Sequence, residues 1–242
     1  RLISVIPAAV AEAAMKSGAA RKKISDLEKY KEDLSRRLDP SMNIMQNINV
    51  QIKKSQKRVV FAEGEDPSIL RAAIAFKNSK LGTPILIGKE ERVKEQLKNI
   101  GLDENFNIEI VSSKDTEKRE KYTKHLYKKL QRSGMLEREC DHLIRNDRVT
   151  WGPCMVACGD ADGAVTGNTR RFGASLDKIK QVVDVRDGEI MFGLNMVVHK
   201  GKTIFVGDTS VHEYPTSEQM AEIAISTARV VRLFGFDPKV AF

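Results

Sequence analysis

The sequence predicts an α/β protein, with a mostly parallel sheet covered by helices on both faces and a helical extension at the N-terminus. Three observations predict it. From Arg58 onward, short runs rich in β-branched residues alternate with helical patterns, the βαβα rhythm that builds a parallel sheet. Capping signals mark the junctions where helices begin, as at Asp66-Pro67 and at Thr216 with Gln219 three residues on. The stretch before Arg58 offers three helical patterns and no strand.

In chain order, residues 2–17 read as one helix stopped by Gly18. Ser25 and Glu28 form a capping-box pattern opening a charged helix that must end before Asp39-Pro40. Met42, Ile44, Met45, Ile48 and Ile52 give a third helix within 41–54. Without strands, these pieces are expected to be the tail of one domain (1–38) and a helical linker (39–57) into another (58–242). There the strands are Arg58 to Ala62, Thr83 to Ile87 and Asn107 to Val111. A helix from Asp66-Pro67 through Phe76 separates the first two, and Glu90 to Ile100, stopped by Gly101, separates the next two. Charged helices fill 114–146, and Ala164 to Thr166 is a short strand. Glu189 to His199 and Lys202 to Val206 flank Lys200-Gly201 as a hairpin, which would make the sheet mixed there. The helix after Thr216 places Met220, Ile223, Ala224, Ala228 and Val231 on one face and ends at Gly235. Pro238 to Phe242 reads as a strand that stops without a turn, and position 1 is not Met, so the chain reads as truncated at both ends.

Bulk properties narrow the function. The chain has 242 residues, 41% apolar and 31% charged, ordinary for a globular protein with a sizeable core. No apolar run approaches the roughly 18 residues of a membrane span, and the N-terminal stretch, with Pro7 and Glu12, is an amphipathic helix rather than a signal peptide. Net charge is +8, which suits a polyanionic partner, nucleic acid among them. The densest cations (Lys118, Lys121, Lys124, Lys128, Lys129, Arg132) alternate with Glu117 and Glu120 as on a solvated helix face, and Trp151 is the one tryptophan available for base stacking. Nucleic acid is therefore a poor second reading, and no membrane partner is expected. Three cysteines (Cys140, Cys154, Cys158) fit a reducing cytoplasm, and without further ligands at credible spacing they are expected to be core thiols rather than a metal site.

The stretch from Gly159 to Gly173, GDADGAVTGNTRRFG, carries the strongest functional signal. Its glycines allow backbone N–H groups to form an anion-binding concavity, and Arg170 and Arg171 add planar donors suited to phosphate. A tight structural turn is the competing reading. A second polar loop, Gly207 to Pro215, follows another strand, and ligands of open α/β sheets sit outside the carboxyl ends of strands. Thr166, Gly167, Arg170 and Arg171 are candidates for holding a phosphate, and Asp208, Thr209 and Tyr214 for lining an opposite wall. For Asp208 the competing role is to cap a turn. His212 lacks a visible nucleophile partner, and Glu63 and Glu65, though they invite an acid–base role, are expected to be solvated strand-end carboxylates.

Four segments, FAEGED at 61–66, ADGAVTG at 161–167, GDTSVHEYPT at 207–216 and FGFDPKVAF at 234–242, resemble phosphate acetyltransferases. GDADG with VTGNTR, DTSVHEYPT and RLFGFDPKVA are more similar to the phosphotransacetylase-like domain fused to the C-terminus of bacterial NADP-dependent malic enzymes. Residues 2–20 resemble the closing helix of the malic enzyme catalytic part, so the resemblance covers nearly the whole chain. It implies a phosphate acetyltransferase/isocitrate-dehydrogenase-like sheet. It also implies acetyl-CoA or a related acyl-CoA as ligand, the malic enzyme catalytic domain as partner, and a homo-oligomer. NADP and a divalent metal would belong to that catalytic domain, and no cofactor or metal to this segment. The catalytic serine, aspartate and arginine of acetyltransferases would lie beyond residue 242. Where such enzymes carry an Arg-Pro pair at the start of the following helix, this chain has Asp177-Lys178, a carboxylate that would oppose acetyl phosphate. The expected role is regulatory and oligomer-forming. An active phosphate acetyltransferase, an inactive gene remnant and a basic nucleic-acid binder are the rivals.

Overall fold

The computed structural model describes residues 2–38, 48–101, 107–112, 114–199 and 202–242. Two compact units divide the chain, one of residues 51–184 and one of 1–50 with 185–242.

The first unit is built on four parallel strands in the order β3-β2-β1-β4. They are β1 (Lys57–Phe61), β2 (Gly82–Ile87), β3 (Glu109–Val111) and β4 (Gly163–Val165). Helices α4 (Pro67–Asn78) and α5 (Glu90–Asn99) make the first two crossovers, and α6 (Thr116–Leu130), α7 (Glu137–Asn146) and α8 (Arg148–Ala157) connect β3 to β4. α9 (Phe172–Val182) follows β4. The alternation of side chains along each strand sorts the core into two layers. Phe61 and Leu86 meet Leu70, Ala73, Val93 and Leu97 of α4 and α5. Val60, Ala62, Ile85 and Ile87 face the opposite way, onto Tyr122, Leu126, Ile144, Trp151 and Met155 of α6 to α8. Each such large side chain, fully buried, contributes about 1.5–3 kcal/mol. Helices therefore cover both faces, as the sequence predicts.

The four strands of this sheet and helices α4 and α5 agree with expectation to within two residues, but α8 was not expected. Gly152 and Pro153 lie inside it and disfavour a helix locally. Burial overrides propensity here. Val149 to Met155 are all buried, and at Gly152 the helix lies against the sheet, where a Cβ would make ordinary contacts with Ala62, Ile87 and Val60 at 3.6–3.7 Å. Asp147 caps it, accepting from Val149 N and Thr150 Oγ1 at 3.1 Å. In the same layer, Tyr122 meets Trp151 edge to face at 5.1 Å and donates to Asp160 Oδ2 at 2.7 Å. Tyr122→Phe leaves that half-buried carboxylate one donor short, and urea unfolding is expected to show a loss of about 1.5–3 kcal/mol.

In the second unit, α1 (Leu2–Lys16) packs on α2 (Leu27–Leu38). The cap of α2 is Asp26, whose Oδ1 accepts from Lys29 N at 3.0 Å, and not Ser25 as expected. A carboxylate at the following position competes better for the first-turn N–H groups. Asp39, Pro40, Met42, Ile44 and Met45 lie outside the described residues, and 48–54 is helical (α3). β5 (Leu194–His199) and β6 (Lys202–Gly207) pair antiparallel with the register expected of a hairpin. Its turn, Lys200-Gly201, lies outside the described residues. The pair forms its own two-stranded sheet, so the four-stranded sheet is wholly parallel rather than mixed. α10 (Ser217–Leu233) begins at the expected capping box, Gln219 N donating to Thr216 Oγ1 at 3.3 Å and Thr216 N to Gln219 Oε1 at 2.9 Å. It buries Ile223 and Val231, and Phe205 of β6 packs edge to face with Phe234 and Phe236 beyond it. Residues 236–242 are irregular, not the expected strand, because no neighbouring strand among the described residues offers them a ladder.

Candidate functional site

The loop after β4, Thr166 to Thr169, is organised by a residue from the end of β1. Gly64 donates from its N to Ile87 O at 3.1 Å, in a place where a Cβ would come within 2.9 Å of Leu86 Cβ. Only glycine fits there. This tight passage sets Glu63, 6% exposed, at the carboxyl end of the sheet. Its Oε2 accepts from Gly167 N at 3.0 Å and Asn168 N at 2.9 Å, and its Oε1 from Thr169 N at 2.8 Å and Thr169 Oγ1 at 2.5 Å. Gly167, at φ +96°, supplies the left-handed turn that aims these N–H groups together. Burial would raise the Glu63 pKa, but the bonds from Thr169, Asn168 and Gly167 outweigh it and hold the carboxyl below its ordinary value.

The concavity read from the glycines thus exists, and the protein fills it with its own carboxylate. Gly167 N, a candidate phosphate donor, is engaged by Glu63. Neither Glu63 nor Glu65 is the solvated strand-end carboxylate expected of it. Glu65 Oε1 meets Arg148 at 2.6 Å and accepts from Lys89 N at 2.7 Å, and its Oε2 accepts from Arg92 at 3.4 Å. Burial raises its pKa, and Arg148 with Lys89 N more than reverses that. An acidic residue beside a glycine, straight after a strand and facing a predicted anion cradle, was the available signal for Glu63.

What the nest leaves open lies next to it. Arg171 is the N-cap of α9 without a side-chain cap bond, is exposed and makes no ion pair among the described residues. Arg170 reaches the Asp147 carboxylate at 3.7 Å. Thr166 Oγ1 and Ser175 Oγ are buried without a hydrogen-bond partner among the described residues, and Ser175 Oγ lies 3.5 Å from where a Gly167 Cβ would be. Open helix N–H groups, a cation and unsatisfied hydroxyls in one place can hold an anion. Asp177 lies exposed in the second turn of α9 rather than at its start.

The other candidates belong to the second unit. Asp208, its side chain 3% exposed, accepts at Oδ1 from Gly193 N, Ser210 N and Val211 N (2.8–3.1 Å) and at Oδ2 from His212 N at 2.9 Å. His212 Nδ1 lies 2.8 Å from Oδ2. Burial would raise the Asp208 pKa, but bonds from Ser210, His212, Gly193 and Val211 hold it far below the carboxylate range. The carboxylate ties the 208–212 loop to Gly193. Thr209 N donates to Gly193 O at 3.2 Å, and Tyr214 is 88% exposed. Beside this loop is a cavity of about 660 Å³ walled by Phe205, Met220, Ile223, Val231, Phe236 and Phe242, a size and character typical of small-molecule sites. The cysteines are unpaired, and burial raises the thiols of Cys140, Cys154 and Cys158, the opposite of an activated nucleophile. Among the described residues no helix is long and apolar enough to cross a membrane, and no group of three or more His, Cys, Asp or Glu can hold a metal.

The profile of a family described as phosphate acetyl/butaryl transferase matches residues 43–242. An NADP-dependent malic enzyme of Rhizobium meliloti (strain 1021) is 43% identical over 242 residues, all of this chain and 32% of that protein. A probable NADP-dependent malic enzyme of Rickettsia prowazekii (strain Madrid E) is 40% identical over the whole chain, again 32% of that protein. A phosphate acetyltransferase of Nitratidesulfovibrio vulgaris is 30% identical over 86% of the chain. The chain spans about a third of the length of these relatives. Among solved structures, a phosphotransacetylase from Streptococcus pyogenes shares the fold, with a TM-score of 0.74 at 23% identity over 82% of this chain and 60% of that one.

Proposed function

The chain belongs to the phosphate acetyl/butaryl transferase family, and from that premise we propose that it is the regulatory, acyl-CoA-binding region of a malic enzyme rather than a catalyst. The observation that carries this is the state of Glu63. Acetyl transfer between phosphate and coenzyme A needs a base to take the thiol proton. The buried Glu63 carboxylate that organises the glycine loop is saturated by four donors and held ionised, so it has no lone pair in position for that proton. What remains beside it is binding equipment: the N-terminus of α9, Arg171, and the hydroxyls of Thr166 and Ser175. These suit a phosphate of coenzyme A, with Arg170 as a second cation.

Similarity over the whole of this chain to 32% of the length of proteins named NADP-dependent malic enzymes supports the same reading. In it, NADP and a divalent metal are held by the catalytic region, and acyl-CoA shifts that region's activity by binding two states of a homo-oligomer unequally. A second reading, phosphate acetyltransferase, is favoured by the shared phosphotransacetylase fold and by the 30% identical relative of that name.

Thermal unfolding with and without millimolar acetyl-CoA tests the proposal. A ligand bound only by the folded chain stabilises it by about 2.7 kcal/mol at a hundred times its dissociation constant. A raised midpoint, lost in Arg171→Ala, is the expected result. A cooperative transition that acetyl-CoA leaves unmoved sinks it. Acetyl-CoA formed from acetyl phosphate and coenzyme A by the purified chain selects the second reading.

A further inference from the structure

At the carboxyl ends of β2 and β3, on the sheet face that carries α7 and α8, lies a cavity of about 210 Å³ whose walls include Lys89, Ser112, Arg145, Asn146, Arg148 and Trp151. Three of its lining residues are cations and none is an acid. The neighbouring carboxylates do not cancel them. Asp141 is shared by Arg145 (2.7 Å) and Arg119 (3.3 Å), and Glu65 is shared by Arg148 (2.6 Å) and Arg92 (3.4 Å). Each group keeps an excess positive charge, and the Lys89 ammonium makes no ion pair among the described residues. Trp151 is 1% exposed, and its Nε1–H, a donor with no other role, has no acceptor among the described residues. Buried donors in native proteins are nearly always satisfied, by protein, water or ligand.

We infer that this cavity is a second anion site, separate from the glycine loop, that takes a small oxyanion: a phosphate or carboxylate group. Charge, donors and position agree. Ligands of parallel sheets sit beyond the carboxyl ends of the strands, and Ser112 and Asn146 add neutral donors to the cations. Size limits the occupant, since sites for drug-sized ligands run from about 300 Å³ upward. The cavity holds a single small anion or one charged end of a larger molecule.

Trp151 is the one tryptophan of the chain, so its emission reports the site directly. Inorganic phosphate and, in a parallel arm, succinate are titrated into the full chain at constant ionic strength, against a chloride control. The expected result is a saturable change in emission, with the tighter of the two identifying the class as phosphate or carboxylate. Lys89→Gln and Arg145→Gln are each expected to weaken binding about tenfold, as for loss of a charge-assisted contact. Lys89 is exposed, so its variant keeps the fold. Arg171→Ala, at the glycine loop, leaves the response intact, which separates this site from the acyl-CoA proposal. Emission that follows only ionic strength, equal affinity in both cavity variants, or loss of the response in Arg171→Ala overturns the inference.

Discussion

Glu63→Ala destabilises the chain by about 3–5 kcal/mol, measured as a lowered urea midpoint, the cost of breaking a buried charged network on one side. Three backbone N–H groups and the Thr169 hydroxyl lose their acceptor together, and none has another hydrogen-bond acceptor among the described residues. Glu63→Gln is milder, about 2 kcal/mol, because one oxygen still accepts while the amide turns its N–H groups toward other donors. Acid sensitivity gives an independent check. The folded-state pKa of Glu63 is lowered, so its contribution is present above the unfolded value, near 4.5, and is lost as pH falls through the folded one. Wild type should therefore lose stability below about pH 4.5 more steeply than Glu63→Gln. Parallel acid profiles for the two would mean that the carboxylate is not held ionised by the loop.

Asp208→Ala has the second large effect, of similar size, and it acts in the other unit. Five donors converge on this carboxylate, four of them backbone N–H groups or a ring nitrogen from 208–212 and one the N–H of Gly193. Removing it should free the loop from Gly193, so the amides of Ser210 to His212 lose protection from hydrogen exchange at neutral pH by on the order of a hundredfold or more, equivalent to about 2.7 kcal/mol or greater. Asp208 is held far below the carboxylate range, so its share of stability is present above the unfolded value and survives to strongly acidic pH before it is lost. Unchanged protection at 210–212 in the variant would show that the carboxylate is spare, with oxygens free for a ligand.

The sequence made the scaffold legible where local signals and burial point the same way. β1, β2, α4, α5 and the capping box of α10 are examples, each with apolar periodicity bounded by a cap or a glycine. α8 was hidden because Gly152 and Pro153 argue locally against a helix, and only contact with the sheet face repays them. The separate β5–β6 sheet was hidden because a hairpin pattern does not say what its edges meet. The glycine loop was legible as an anion cradle, since glycine and N–H geometry are local matters. Its occupant was not, because Glu63 lies 104 residues from Gly167 and pairing at that separation leaves no periodic trace.

That separation also bears on the order in which the protein assembles. β1 sits between β2 and β4, yet β2 follows it after one helix, whereas β4 arrives only after β2, β3 and five helices of intervening chain. Pairing β1 with β2 closes a short loop, and pairing it with β4 closes one several times longer, with a correspondingly larger entropic barrier. The glycine loop hangs on β4, and the residue that orders it hangs on β1. The three-stranded part can condense early, but the anion cradle comes into existence only at the last strand addition, so a pulse of hydrogen exchange during refolding should find the amides of 167–169 among the last to be protected.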